Sequence, residues 1–173
     1  ISKNNNIKHQ IKVRDSLKFL TQSSKVYRKN INTKIVAITG SCGKTTLKEL
    51  LGSSLKKISK VSTSPKSYNN KYGVPLSLFN IDQKDQYGVL EIGMDKKGEI
   101  DSLSKIIQRD VSVITNINYA HAKNFSNIRQ IALAKSEIEP KQLTFTLLKT
   151  RSHPNVAFTQ GLIIHQQDFV ESS

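Results

Sequence analysis

Residues 34–46 read KIVAITGSCGKTT and predict a strand, a turn and a helix in that order. Lys34–Thr39 is a short apolar, β-branched run, which is typical of a buried strand. Gly40–Gly43 follow as a turn, and from about Thr45 apolar residues recur at helical spacing as far as Ile58. Backbone N–H groups converge where such a helix begins, so this unit is suited to hold a phosphate chain.

The predicted phosphate loop departs from the common P-loop consensus. That consensus is G-x-x-x-x-G-K-[ST], and Ile38 stands here in place of its first glycine, with Gly40 as the earlier glycine. The alternative is a glycine turn with an incidental lysine, which the preceding strand and the following helix disfavour. We therefore expect Lys44 to bridge the β- and γ-phosphates of a nucleotide and the Thr45 hydroxyl to bind Mg²⁺.

Strand-like and helix-like segments alternate through the rest of the chain as far as residue 138. Besides the first unit, we predict strands over 60–63, 87–92 and 111–115 and helices over 12–30, 75–79, 100–107 and 128–138. This alternation predicts an α/β fold, with a mostly parallel sheet, helices on both faces and ligands at the carboxyl ends of the strands. Beyond Pro140 the rhythm weakens, and we predict strands at 143–148 and 161–164.

The composition indicates a globular domain. The 173 residues suit one domain, and no apolar run approaches the roughly 20 residues of a membrane helix. The single cysteine, Cys42, excludes an internal disulfide and fits a reducing compartment. The net charge of +14 could serve a nucleic-acid partner, but the lysines are scattered and no aromatic residues accompany a basic stripe. We therefore expect a lysine-rich solvated surface, no nucleic-acid partner, no membrane partner and a cytoplasmic location.

Five motifs, in chain order, resemble the Mur ligase family. The phosphate loop is similar to that family's T-G-[ST]-x-G-K-[ST] sequence. The other four motifs are 67–76 (SYNNKYGVPL), 91–100 (EIGMDKKGEI), 115–121 (TNINYAH) and 134–138 (AKSEI). The segment 91–100 is most similar to the family member that adds D-alanyl-D-alanine. The resemblance covers about residues 12–138 and implies the P-loop-type central domain of that family.

The resemblance implies an ATP-dependent ligase of peptidoglycan precursor synthesis, monomeric in its full-length form. The carboxylate of a UDP-MurNAc-peptide would attack the γ-phosphate of ATP to form an acyl phosphate, and the amine of D-Ala-D-Ala would then displace phosphate. Two anions meet in the first step, so Mg²⁺ is expected, and positioning and charge neutralisation should dominate catalysis. The alternatives are another Mur-type, folylpolyglutamate-like or cyanophycin-type ligase, and a P-loop ATP-binding module without ligase activity.

Three motif residues are predicted to handle metal ions or their charge. Glu91 ends an apolar strand where a carboxylate needs a cation, and the resemblance implies Mg²⁺; an exposed strand-end glutamate is the alternative. His121 would be a ligand of a second Mg²⁺, although its chemistry alone also fits a general base or a surface histidine. Lys135 would react with CO₂ to form a carbamate; the alternative is a lysine whose ammonium reaches out from a half-buried face.

The remaining candidates lie in loops, where turn formation is the alternative role. The resemblance places Asn69 and Asn70 at the muramoyl substrate or the γ-phosphate, and Asn116 near the phosphates. The predicted catalytic residues are thus Lys44, His121 and Lys135; the metal ligands are Thr45, Glu91, His121 and carbamylated Lys135; and the nucleotide-binding residues are Thr39, Gly40, Ser41, Cys42, Gly43, Lys44, Thr45, Thr46 and Asn116.

The resemblance also divides the chain into three parts. Residues 1–30 would be a linker and the helix that leads from an N-terminal substrate domain, and residues 31–138 would be part of the ATP-binding central domain. Residues 139–173 do not resemble the family's continuation and are predicted to be divergent. The chain begins with Ile1 rather than Met. We expect a fragment that cannot complete the ligation alone.

Overall fold

The central sheet is built from the four apolar segments that the sequence identifies. The computed structural model describes residues 11–119 and 124–139, together with the backbone of residues 163–164. Four strands are parallel, and a short fifth strand pairs antiparallel with the fourth. The strands are β1 (Lys34–Thr39), β2 (Val61–Thr63), β3 (Tyr87–Glu91), β4 (Val111–Ile114) and β5 (Ile163–Ile164), in the spatial order β2-β3-β1-β4-β5.

The structure confirms the predicted α/β fold with a mostly parallel sheet. The predicted strand at 161–164 agrees with β5 in its last two residues, and the one at 143–148 lies outside the described residues. The described helices are α1 (Ser16–Lys29), α2 (Lys44–Leu55), α3 (Gly73–Phe79), α4 (Glu99–Ile107) and α5 (Ile128–Ser136). Among the described residues, no helix has the length and hydrophobicity needed to cross a lipid bilayer.

The helices cover both faces of the sheet because the side chains of β1 alternate. Ile35 and Ala37 belong to the larger apolar cluster, which contains residues of α3, α4 and α5, whereas Ile38 packs on the other face with leucines of α2. The β1-to-β2 and β3-to-β4 connections run in opposite directions across the sheet, so right-handed crossovers place α2 and α4 on opposite faces. Because α2 follows β1 directly, its amino end lies at the carboxyl end of this central strand.

Helix α1, which lies within the predicted helix 12–30, buries a cation and exposes an apolar residue. Val26 is 60% exposed, whereas Arg28 is 9% exposed. The Arg28 guanidinium donates to the carbonyl oxygens of Ile107 (2.6 Å) and Gln108 (2.9 Å), which end α4. These carbonyls have no intrahelical donor, and the carboxyl end of a helix attracts positive charge. Arg28 thus joins α1 to the end of α4.

Helix α2 is also less regular than its leucine spacing suggests. It ends at Leu55, so Ile58 lies beyond it and is 77% exposed, and Leu50 is exposed as well. The buried residues of α2 are Lys48 and Gly52. A Cβ at Gly52 would lie 2.5 Å from the Thr63 side chain, so this face packs closely against β2.

The loop between β3 and α4 is fastened to the residue that follows α5. Both carboxylate oxygens of Glu137 accept from the amide of Gly98, each at 2.9 Å, and one also accepts from the Asp101 amide. A carboxylate at the start of a helix satisfies orphan amides and suits the helix dipole. The glutamate of the AKSEI motif therefore has a structural contact.

Candidate functional site

The phosphate loop bends at two glycines, of which Gly40 has no space for a side chain and Gly43 has a left-handed backbone conformation. Gly40 adopts φ 151°, and a Cβ there would lie 1.8 Å from Thr115 Oγ1, at the end of β4. Gly43 adopts φ 78° and is the N-cap of α2. A left-handed φ is readily reached by glycine alone. The two bends bring the chain from the end of β1 to the start of α2 within a few residues.

The outer side of this loop is tied to the residues that follow β4. The amides of Ser41 and Cys42 donate to the backbone oxygen (3.1 Å) and Oδ1 (2.9 Å) of Asn116. Asn116 Nδ2 donates to Cys42 Sγ (2.7 Å), and Thr115 Oγ1 donates to the Cys42 carbonyl (2.6 Å). Both amides are therefore used within the protein. The amides at the start of α2, from Lys44 onward, have no intrahelical acceptor and face an anion more readily.

The ammonium of Lys44 lies directly over the loop. Its Nζ donates to the carbonyl oxygen of Gly40 at 2.9 Å, and the side chain is half-buried. This places a cation at the amino end of α2, where the helix dipole is also positive. Both features favour an anion with several charges, such as a polyphosphate.

Glu91 and Thr45 meet at the edge of the sheet, as the sequence pattern predicts. Glu91 is 1% exposed, and its Oε2 accepts from Thr45 Oγ1 at 2.9 Å. Its Oε1 accepts from Asn69 Nδ2 at 2.8 Å. A buried carboxylate requires hydrogen bonds and a cation. The burial of Glu91 and its position beside the phosphate loop fit a metal ligand, and they do not fit the alternative of an exposed glutamate at a strand end.

Lys48, which the sequence analysis does not identify, is a buried lysine close to the Glu91 carboxylate. Lys48 is 0% exposed, and its Nζ donates to the carbonyl oxygens of Ser64 (2.9 Å) and Lys66 (2.5 Å). It lies 4.0 Å from Glu91 Oε2 and 3.3 Å from the exposed carboxylate of Glu49. Gly52, one turn further along, was the available signal, because a glycine inside a helix often marks a face that packs closely.

Lys135 is buried in a different charge environment. It is 2% exposed, and burial, together with the nearby positive charge of Lys44, lowers its pKa from 10.5 to about 8. No hydrogen bond or ion pair links its ammonium to the part of the chain that the structure describes. A lysine with a lowered pKa has more of the neutral amine that reacts with an electrophile.

The adjacent asparagines of the SYNNKYGVPL motif have different contacts. Asn69 faces Glu91, whereas Asn70 Oδ1 accepts from the amides of Tyr72 (3.0 Å) and Gly73 (2.9 Å) at the start of α3. Asn70 thus has the helix-starting contacts of a turn residue. His121 lies outside the described residues. Of the remaining loop residues, Thr39 is buried with its hydroxyl unpaired among described groups, and Thr46 is exposed.

The oxygen atoms at this edge suit Mg²⁺ carried by a nucleotide. Magnesium prefers oxygen ligands and is usually bound through one or two carboxylates together with substrate phosphates. Among the described residues, no group of three or more His, Cys, Asp and Glu side chains could hold a metal ion by itself. One buried carboxylate and one hydroxyl beside a phosphate loop therefore fit a metal ion that shares its ligands with phosphate oxygens.

Comparison with known proteins identifies the family. Residues 38–148 match the Mur ligase middle domain. The chain belongs to the Mur ligase family. The matched range extends into the 139–173 segment. Thr45, Glu91 and Lys135 all lie within it, as does the whole sheet edge described above.

Individual relatives are similar over a limited part of their length. The chain is 44% identical over 111 residues to the UDP-N-acetylmuramoyl-tripeptide–D-alanyl-D-alanine ligase of Buchnera aphidicola, covering 64% of this chain and 24% of the relative. It is 38% identical over 128 residues to the Bacillus subtilis ligase of the same name, covering 74% and 28%. The chain therefore spans about a quarter of the length of these relatives.

Solved structures show the same fold. The crystal structure of MurF from Acinetobacter baumannii matches with a TM-score of 0.71 and 39% identity, over 79% of this chain and 30% of that one. MurF ligase from Thermotoga maritima, solved in complex with ADP, matches with a TM-score of 0.69 and 34% identity, over 79% and 32%. The four parallel strands with their helices are thus a Mur ligase architecture.

Proposed function

We propose that this chain binds MgATP at the phosphate loop and belongs to a ligase that adds D-alanyl-D-alanine to UDP-MurNAc-tripeptide. The observation that carries the proposal is the 2.9 Å contact between Thr45 Oγ1 and the buried Glu91 carboxylate, directly beside the N-terminus of α2. The names of the relatives supply the substrates, and the ADP complex of the Thermotoga relative supports the nucleotide. We propose a cytoplasmic, monomeric full-length enzyme.

Different residues of the site would bind the phosphate oxygens and the magnesium ion of MgATP. The amides at the start of α2 and the Lys44 ammonium would bind phosphate oxygens, and Thr45 with Glu91 would hold Mg²⁺, whose chemistry there is to neutralise phosphate charge. Asn116 would hold the loop in its conformation through its hydrogen bonds with Cys42, and it would lie near the phosphates. Asn69 would orient Glu91 and, with Asn70, lie near the acceptor substrate.

Lys135 fits the carbamate that the family resemblance implies. Its neutral amine would attack CO₂ and lose a proton, which replaces a buried cation by an anion beside Lys44. The repulsion between the two positive charges would become an attraction between opposite charges. The carbamate and His121 would support a second Mg²⁺. ¹³CO₂ labelling should give a carbamate carbon resonance that is lost in Lys135→Met; a spectrum without that resonance, at alkaline pH, contradicts the assignment.

The first experiment measures nucleotide binding to the 173-residue chain. A fluorescent ATP analogue is titrated with Mg²⁺ and with EDTA, in the wild type, in Lys44→Ala and in the exposed-lysine control Lys57→Ala. Loss of a charged hydrogen-bond donor should weaken binding by about thirtyfold in Lys44→Ala and leave the control unchanged. Equal binding by all three chains would contradict the assignment of the phosphate loop.

The second experiment tests the ligase part of the proposal. The chain spans 28% of the Bacillus subtilis relative. We therefore also propose that residues 1–30 are a linker and entry helix, that residues 31–138 are part of the ATP-binding domain, and that residues 139–173 are divergent. We expect no amide product from the chain alone. A chimera, in which residues 12–138 replace the corresponding segment of that relative, is supplied with ATP and UDP-MurNAc-tripeptide. It should then release phosphate when D-Ala-D-Ala is added and not when L-Ala-L-Ala is added. A folded chimera that binds ATP but shows no such dependence would argue for a nucleotide-binding module without ligase activity.

A further inference from the structure

Lys48 connects three parts of the candidate site. It lies on α2, one turn after Lys44, and its ammonium contacts the carbonyls of Ser64 and Lys66 on the loop that follows β2. The same ammonium is 4.0 Å from Glu91 Oε2 at the end of β3. A buried ammonium is tolerated only where acceptors and negative charge surround it. The surroundings of Lys48 meet this requirement, so its burial is supported by specific contacts.

We propose that Lys48 is a positioning residue for the Glu91 carboxylate and for residues 64–70, which we call the Asn69 loop. This inference rests on the proposed MgATP site. Lys48 does not touch the nucleotide in this role. It acts through the carboxylate, by holding Glu91 and the Asn69 loop in the arrangement that favours magnesium binding.

The conformation of the Asn69 loop shows that it is held in place. Lys66 adopts φ 46°, which is uncommon for a residue with a side chain, and its carbonyl accepts from Lys48. Further along, the Asn69 carbonyl accepts from the Gly93 amide at 2.6 Å, and a Cβ at Gly93 would lie 2.9 Å from Asn69 Oδ1. The loop is thus fixed at one end by Lys48 and at the other by the chain after β3.

Both oxygens of Glu91 are oriented as a result. Oε1 accepts from Asn69, whose loop Lys48 holds, and Oε2 accepts from Thr45 and lies near the Lys48 ammonium. Removing Lys48 would release the loop and leave the buried carboxylate without its nearby cation. The carboxylate would then turn or recruit water, and the geometry required by Mg²⁺, which demands near-ideal coordination, would be lost.

The test separates this role from a general structural one. We define the magnesium response as the ratio of the Kd values of a fluorescent ATP analogue in EDTA and in Mg²⁺. In Lys48→Met this response should fall about tenfold, while the Kd in EDTA changes by less than about threefold. The exposed lysine of the matched control, Lys57→Met, should leave both quantities unchanged. A variant that is merely misfolded would lose binding in both solutions.

A double-mutant cycle shows whether Lys48 acts through Glu91. Glu91→Gln should lower the magnesium response, and adding Lys48→Met should lower it no further. If Lys48→Met alone does not fold, adding Glu91→Gln should restore cooperative unfolding, because the unpaired buried charge is gone. A wild-type magnesium response in Lys48→Met would overturn the role of Lys48. So would additive effects of the two substitutions on that response, or an unfolded Lys48→Met that Glu91→Gln does not rescue. A wild-type chain without any magnesium response would overturn the proposed function as well.

Discussion

The surroundings of Lys48 and Lys135 carry opposite charge, although both side chains are almost fully buried, at 0% and 2% exposure. The Lys48 ammonium meets two carbonyls and approaches Glu91. The Lys135 ammonium lies near a second cation, Lys44, and has no hydrogen-bonding partner among the described residues. Burial alone therefore does not define what a lysine does. Its acceptors determine whether it stays a structural cation or becomes a reactive amine.

Substitution of the two buried lysines should change the free energy of unfolding strongly and in opposite directions. Lys48→Met leaves two carbonyls without their donor and a buried carboxylate without its nearby cation, so the free energy of unfolding should fall by about 3 kcal/mol or more. Lys135→Met removes a desolvated charge, so at pH 7 the free energy of unfolding should rise by about 1–3 kcal/mol. Urea unfolding, followed by circular dichroism in CO₂-free buffer, measures both.

The matched comparison for both variants is Lys57→Met, which replaces an exposed lysine and should stay within about 0.5 kcal/mol of the wild type. Equal destabilisation by the two buried substitutions would show that both lysines are simply packed side chains. The different charges around Lys48 and Lys135 would then have no effect on the free energy of unfolding.

The second effect is a rise in stability with pH that depends on Lys135. Its pKa is about 8 in the folded chain and near 10.5 when unfolded. Below pH 8 both states hold the proton; between pH 8 and 10.5 the unfolded state holds more protons, so the free energy of unfolding increases with pH. The total rise should be about 3 kcal/mol. Subtracting the pH profile of Lys135→Met removes contributions from other groups, and a flat difference would contradict the prediction.

Arg28 extends the comparison to a third buried cation. Burial lowers the pKa of its guanidinium and the charge of Asp110 opposes this shift, yet its donors have carbonyl acceptors, as at Lys48. Arg28→Met should therefore lower the free energy of unfolding by about 2 kcal/mol. Lys29→Met, on the exposed side of the same helix, is the control for thermal or urea unfolding. An unchanged nucleotide affinity in folded Arg28→Met would confirm that this cation supports packing alone.

The mostly parallel sheet and the meeting of Thr45 with Glu91 can be predicted from the sequence, whereas the order of the strands comes from the structure. Parallel strands bring their carboxyl ends to one edge, so residues after β1 and at the end of β3 become neighbours whatever their separation in the chain. The position of Lys48 was not predictable in the same way. Helical periodicity assigns lysines to the solvent side, and the acceptors that bury this one come from a loop without a periodic pattern.

Asn69 and Asn70 show a second limit of sequence reasoning. Both residues belong to one motif and both suit turns, yet one contacts Glu91 and the other the start of α3. Which of two adjacent side chains faces the site depends on the turn that contains them, and that turn is held by tertiary contacts such as the Gly93 amide with the Asn69 carbonyl. His121 lies outside the described residues, so its predicted role as a ligand stays a prediction.

The smallest effect concerns the repulsion between Lys44 and Lys135. Lys44→Met should raise the pKa of Lys135 above about 8 but leave it below 10.5, because burial is the larger cause of its shift and the mutation leaves burial unchanged. A ¹³C titration of the lysine Cε resonances, with Lys135 assigned through Lys135→Met, measures the change, and Lys57→Met should not alter it. A full return to 10.5 would mean that repulsion dominates over desolvation. An unchanged pKa would mean that Lys44 is too far away to act, and a carbamate on Lys135 would then gain nothing from its charge.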